Sequence, residues 1–245
     1  MLLWIIGFSL LGSVGAIGGA ALFLFFPDGV RKTLLPYLIS YATGTLLGAA
    51  FLGMIPAGLE RAPANPLMAT VLAGLVLFFV LEKLVIWRHS HNAGSGGQGS
   101  AAPLILIGDA FHNFVDGVVI AAAFLNSIPL GITSALAVIA HEVPQEVGDF
   151  AILLDNGYSR SRALLLNGLS SSTTLPGALI AYFWLGETRE AVPYILAISA
   201  ASFIYIAVAD LIPALNRQIT LAASVWQFVM LMTGIGTIAF FHLGA

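Results

Sequence analysis

Seven side chains able to hold a metal or move a proton fall within one stretch of this chain: Asp109, His112, Asp116, His141, Glu142, Glu146 and Asp149. Between Arg88 and Arg160 that stretch has no lysine or arginine. An ionised carboxylate in an apolar setting costs several kcal/mol unless it is paired. Each acid must therefore be protonated, reach water or face a cation, and one bound divalent ion would serve several at once. Helical spacing brings the groups together. At about 100° per residue, Asp109, His112 and Asp116 share one face with Asn113 beside them, while His141, Glu142, Gln145, Glu146 and Asp149 cover a broader face of about 140°. Pairs four residues apart, His112 with Asp116 and His141 with Gln145, can reach a common ion. The chain has no cysteine, so a metal must be taken by imidazole, carboxylate, amide or thioether.

The elements that must position these groups are membrane helices. Of the 245 residues 59% are hydrophobic and only 9% charged, and mean hydropathy is +0.97, whereas soluble domains carry about a quarter charged residues. Runs near the roughly 20 apolar residues of a spanning helix recur at about 2–26, 34–59, 66–88, 103–125, 130–155, 163–185, 191–215 and 220–243. The expectation is an all-α membrane protein of eight transmembrane helices forming a single domain over 1–245.

One boundary decides the count. Asn126-Ser127-Ile128-Pro129 reads as a turn between the fourth and fifth spans. With that break and both termini extracytoplasmic, Arg31, Lys32, Lys83, Arg88, Arg160, Arg162 and Arg217 lie on the cytoplasmic side, and only Arg61 and Arg189 outside. A seven-span drawing would separate Arg88 from Arg160 and lose that bias. Leu2–Phe26 lacks a basic leading region and a clear cleavage site and reads as a retained span. Short loops suit a prokaryotic inner membrane. The polar, glycine-rich stretch at about 89–102 reads as a flexible cytoplasmic loop.

Spans four and five, joined by a short turn, should pack antiparallel with their polar faces meeting. Pro144 should kink the fifth span beside the site. Gly15 with Gly19 and Gly44 with Gly48 are spaced for close helix crossings. Gly53-Met54-Ile55-Pro56-Ala57 resembles Asp210-Leu211-Ile212-Pro213-Ala214 in a span of opposite direction, as an inverted repeat requires. No basic cluster points to nucleic acid.

His112-Asn113-Phe114-Val115-Asp116-Gly117 and His141-Glu142-Val143-Pro144-Gln145-Glu146-Val147-Gly148-Asp149 resemble the paired fourth- and fifth-span signatures of the ZIP (Zrt/Irt-like) metal transporters. Leu81-Glu82-Lys83 with Trp87-Arg88-His89, and Phe203-Ile204-Tyr205 through Asp210-Leu211-Ile212-Pro213, extend the likeness over nearly the whole chain. The resemblance implies a transporter and not an enzyme, with eight helices in a three-two-three inverted-repeat bundle, a homodimer, and elevator-like alternating access toward the cytoplasm. It implies a binuclear site in which His112, Asp116, His141 and Gln145 hold one ion and Asn113, Asp116, Glu142 and Gln145 surround a second, bridged by Asp116. The sequence departs from the family where Gln145 replaces histidine or glutamate, and where Gly53 and Ala57 stand at positions that often carry histidine and glutamate.

Zinc is the default substrate because two imidazoles with carboxylates suit it, and iron, manganese, cobalt and cadmium accept similar ligands. Glu146 and Asp149 read either as exit-path groups or as bonds to a neighbouring helix, Asp109 as an entrance group or a helix cap, and Asp210 as a relay or a structural acid. His89 and His91 could capture metal from the cytoplasm. Glu82 beside Lys83 reads as an interfacial ion pair. Two other functions compete. An intramembrane metalloprotease would use His141-Glu142 as the start of H-E-x-x-H, but the second histidine is Gln145. A proton-coupled carrier of another solute would use the acids as relays and leaves the two histidines without a role.

Overall fold

The computed structural model describes residues 1–92, 101–216 and 220–243, and the side chains of 28, 85–92, 101–105, 155, 186, 242 and 243 lie outside that description. Among the described residues every regular element is helical. Helices α1 (Leu2–Leu10) and α2 (Ala16–Leu24) join through a π turn at Leu11–Gly15, and α3 (Asp28–Gly48) runs through a second π turn at Ala49–Met54 into α4 (Ile55–Leu59). Then come α5 (Ala64–Asn92), α6 (Ala101–Asn126), α7 (Ile128–Asp155), α8 (Arg160–Ser171) and α9 (Thr174–Glu187). A short 3-10 turn leads into α10 (Val192–Tyr205), a third π turn (Ile206–Leu211) and α11 (Ile212–Leu215), and α12 (Leu221–Leu243) closes the bundle.

Six of the eight expected spans stand as helices long and apolar enough to cross a membrane: Leu2–Leu24, Gly29–Leu59, Ala64–Leu84, Leu106–Asn126, Arg189–Leu215 and Leu221–Phe241. The expected fifth and sixth spans are helical but fall outside that set. The physical reason for the fifth is that His141, Glu142 and Gln145 dilute its apolarity. That composition is tolerable because α7 packs against α1, α2, α3, α6, α8 and α12 and so presents little of itself to lipid. The sixth is interrupted at Ser172-Thr173, which leaves two shorter helices.

The break between α6 and α7 falls where the turn residues place it. Ser127 caps α7, its hydroxyl accepting from the Leu130 N–H at 3.3 Å, and Pro129 sits in the first turn, where its missing N–H costs nothing. The Arg61 guanidinium donates to the Asn126 carbonyl at 3.3 Å and so serves the end of α6. Downstream, α7 continues as helix through Pro144. The loop expected at about 89–102 begins later than that, because the backbone of α5 stays helical past His89 and His91 to Asn92. Residues 93–100 and both histidine side chains lie outside the described residues.

Proline accounts for two of the three π turns among the described residues. Pro56 and Pro213 cannot donate to the carbonyl four residues back, and in each case the helix widens by a residue immediately upstream, at Ala49–Met54 and Ile206–Leu211. The two segments that resemble one another in sequence thus share the same local form.

Close backbone crossings tie the helices into two groups. A side chain at Gly117 would run into the Thr174 carbonyl of α9, and one at Gly177 into the Phe114 carbonyl of α6. Gly44 of α3 and Gly234 of α12 approach in the same way, through the Leu231 and Tyr41 carbonyls. Gly48 meets Ile238 of α12 and Gly19 meets Val143 of α7, whereas a side chain at Gly15 would touch only Leu11 of its own run. Helices α6, α7, α8, α9 and α1 pack on one another, as do α3 with α12 and α5 with α10. At the α6–α7 turn, buried Phe124 stacks with Trp4 and meets Phe8 at a tilt, and Val119, Ile120, Leu130 and Val138 fill the interior below it. That end of the bundle is closed by apolar packing.

Candidate metal centre

His112 and Asp116 sit one turn apart on α6, and His141 and Glu142 are adjacent on α7. The antiparallel pairing expected from the short turn brings all four together. The Nε2 atoms of His112 and His141 stand 3.1 Å apart. His141 Nε2 lies 3.2 Å from Asp116 Oδ2 and 3.6 Å from Glu142 Oε1. His112 Nε2 lies 3.4 Å from Glu142 Oε1 and 3.8 Å from Asp116 Oδ2. Around an ion with bonds of about 2.0–2.1 Å, tetrahedral ligands are separated by roughly 3.3 Å. Four of these five edges are therefore within about 0.3 Å of the required length, and the His112–Asp116 edge, at 3.8 Å, is longer.

The electrostatics point the same way. Asp116 and Glu142 are fully buried, and none of their four carboxylate oxygens has a hydrogen-bond partner. Unsatisfied buried acceptors of this kind are rare in native proteins. The tautomer of His141 is set by its own helix: Nδ1 lies 2.9 Å from the Ala137 carbonyl, which can only accept, so Nδ1 carries the proton and Nε2 keeps its lone pair for a metal. His112 alone of the four is open, at 20% exposure. It borders a cavity of about 470 Å³ that also touches Asp109, His141, Gln145, Asp149 and Asp210. A second cavity of about 470 Å³, between α5, α6 and α10, meets the first at His112 and Asp210 and carries Glu82 and Tyr205. Both reach toward the ends of α6 and α7 that bear Ala101 and Asp155, away from the apolar seal.

The side-chain nitrogens of the two amides expected to ligate face Asp109. Asn113 donates to Asp109 Oδ1 at 3.0 Å and accepts from Thr174 Oγ1 at 3.1 Å. Gln145 donates to the same Asp109 oxygen at 3.0 Å. Asp109 is thus held between two amides inside the bundle. Glu146 is buried and accepts from the Ser171 hydroxyl, and Asn167 donates to the Glu146 carbonyl at 3.2 Å. Asp149 and Asp210 line the cavity and stay partly open. Glu82 accepts from the Tyr205 hydroxyl, while Lys83 lies 5.5 Å from the centre of the Phe79 ring, so these two neighbours do not form the ion pair expected of them. Gly53 packs against Leu130, and Ala57 is buried, so neither of these two positions supplies a ligand.

Residues of α8 and α9 were not singled out from the sequence, yet they buttress the site. Besides Ser171 and Thr174, the Thr173 hydroxyl donates to the Ala110 carbonyl at 2.5 Å. The available signal is the run Ser170-Ser171-Ser172-Thr173-Thr174, five consecutive hydroxyl residues within an otherwise apolar span.

Comparison with known proteins bears on this geometry. Residues 88–242 match the family model described as ZIP zinc transporter. Human zinc transporter ZIP4 is 32% identical over 77% of this chain and 40% of its own length. Zinc transporter ZIP13 of Pongo abelii is 32% identical over 85% of this chain and 67% of its own length. Mouse zinc transporter ZIP4 reaches 47% identity over 113 residues. The chain thus spans less than half the length of the human relative.

Proposed function

We propose that this chain, which belongs to the ZIP zinc transporter family, carries a divalent transition-metal ion, zinc first, across a bilayer toward the cytoplasm. The observation that carries this reading is the set of four donor residues from α6 and α7, spaced near tetrahedral edges around buried carboxylates with no hydrogen-bond partner. Two imidazoles with two carboxylates suit zinc. Iron, manganese, cobalt and cadmium compete for the same donors, and selection among them rests on geometry and supply.

In this reading the chain crosses eight times as one domain, with α7 as the fifth span and α8 with α9 as the sixth. Exposed Leu165, Leu169, Phe183 and Trp184 give α8 and α9 a lipid face. The paired π turns before Ile55-Pro56 and Ile212-Pro213 support an inverted repeat around a central pair. The group of α1, α6, α7, α8 and α9 is tied internally by Gly117 and Gly177, and the α3–α12 pair by Gly44 and Gly234. Two bodies, each locked by backbone contact, can shift against each other in an elevator-like movement. Apolar faces on α5 and α12 serve lipid or a second copy in a homodimer.

The open cavities lie on the side of exposed Arg160 and Arg162, which the positive-inside bias assigns to the cytoplasm. Gly148 borders the cavity, and a side chain there would meet nothing within 4 Å. Because the chain has no cysteine, Gly148→Cys introduces a single thiol. An impermeant maleimide is expected to label it from the cytoplasmic face, and labelling confined to the opposite face would reverse the assigned orientation.

The direct test of function is zinc entry into proteoliposomes loaded with a zinc-sensitive dye. Saturable entry above that of protein-free liposomes is expected, with cadmium and manganese as competitors. No saturable entry from protein that binds zinc in detergent would refute transport.

A further inference from the structure

We infer that a cavity walled by α2, α3, α7 and α8 holds the phosphate of an anionic phospholipid between the guanidinium groups of Arg31 and Arg160, with the acyl chains lying along the apolar wall beside them. The inference goes beyond the transport reading and does not depend on the metal centre.

Three observations carry it. Arg31 comes from α3 and Arg160 from α8, yet both line one cavity of about 270 Å³. Arg31 also borders an adjoining cavity of about 180 Å³, together with Lys32. Apart from the two arginines, every residue lining the larger space is apolar, Leu24, Phe25, Leu154 and Leu164 among them. Guanidinium forks match phosphate oxygens, and hydrocarbon matches the rest of the wall. A phospholipid offers that pairing, whereas a soluble phosphate would leave the apolar wall without a partner.

Depth is the second observation. Helix α2 ends at Leu24 and α7 at Asp155, while α3 begins at Asp28 and α8 at Arg160. The cavity therefore sits where four helices start or stop, at the level of the headgroup phosphates in a bilayer. Phe25 is 86% exposed and Leu164 38% exposed, so the wall is open to acyl chains.

Charge is the third. Segments 28–32 and 155–162, which flank the cavity, carry Arg31, Lys32, Arg160 and Arg162 against Asp28 and Asp155. A cationic excess remains even when both acids are paired. Arg162 is turned away onto the Tyr158 ring, 4.9 Å from its centre, which leaves Arg160 as the guanidinium that α8 gives to the cavity. Basic pockets between membrane helices on the cytoplasmic side suit anionic headgroups, and this is the side that the positive-inside bias assigns to the cytoplasm. A phosphate held by both arginines would tie α3 to α8.

The test counts lipids retained by the purified full-length chain in native mass spectrometry, after addition of phosphatidylglycerol or of phosphatidylcholine with the same acyl chains. Wild type is expected to keep one phosphatidylglycerol in preference to phosphatidylcholine, and excess inorganic phosphate should not displace it. Arg160→Gln and Arg31→Gln should each weaken retention about fivefold, and Arg160→Lys should restore part of it. Arg162→Gln makes the same change in net charge on the same helix and should leave retention nearly unaltered. Arg160 is exposed, so its variants should keep the parental gel-filtration profile and decide the matter even where Arg31→Gln fails to fold. Equal retention of the two lipids, or a preference for phosphatidylglycerol that Arg160→Gln leaves intact, overturns the site. Equal losses in Arg160→Gln and Arg162→Gln overturn it in favour of diffuse surface charge, and displacement by inorganic phosphate overturns it in favour of a soluble anion. Zinc entry into proteoliposomes is read separately, so neither result decides the other.

Discussion

His141→Ala is expected to weaken zinc binding by more than the ~100-fold that loss of a group hydrogen-bonded to a metal ligand can cost, and to bring proteoliposome uptake to the level of protein-free liposomes. The substitution removes a donor whose Nε2 lies within 3.6 Å of Asp116 and Glu142 and 3.1 Å from the His112 nitrogen. Among the described residues the other imidazole at the cavity is His112, which is already a donor of the same site. The fold should survive. The ring's Nδ1 bond goes to a carbonyl of its own helix, and outside the site it meets the Phe203 ring, whose centroid lies 5.9 Å from its own. Calorimetry in detergent measures binding and the dye assay measures flux. A variant that folds, binds zinc within a few-fold of the parent and transports at the parental rate would remove His141 from the site.

Much of this site was legible in the sequence because helical spacing and charge accounting are local properties. Asp109 with Asn113 and His112 with Asp116 are i, i+4 pairs, and a stretch of seven titratable groups without lysine or arginine must hold protons, reach water or face a cation whatever the fold. The turn at Asn126–Pro129 fixed the pairing of α6 with α7, since a connection of one residue allows little but an antiparallel neighbour. Other features depended on tertiary placement that no spacing reveals. Gln145 and Asn113 sit at ligand spacing, and that their amide nitrogens both turn toward Asp109 depends on the offset between two helices. The support from Ser171, Thr173 and Thr174 depends on α9 crossing α6 where Gly117 and Gly177 let the backbones touch. Hydropathy, for its part, understates the helix with the most chemistry, because ligand residues lower its apolarity while the surrounding helices keep it from lipid.

Glu142→Gln should separate the stability of the protein from its capacity for metal. Both Glu142 oxygens are buried and without hydrogen-bond partners, beside an equally unpartnered Asp116. In chelator the wild-type side chain must carry either an uncompensated charge or a proton shared among neighbours, and both raise the free energy of the folded state. An amide of the same shape removes the charge. Its N–H groups face acceptors that have no donor now, among them Asp116 and the lone pair of His141. Thermal unfolding in chelator is therefore expected at a higher temperature for the variant than for wild type. Zinc should invert the order. Wild type gains about 2.7 kcal/mol when zinc is held at 100 times its dissociation constant, and a variant that no longer binds gains close to nothing. A melting temperature in chelator below that of wild type would mean that Glu142 is held by contacts within the protein, and that the unpartnered oxygens are not kept for a cation.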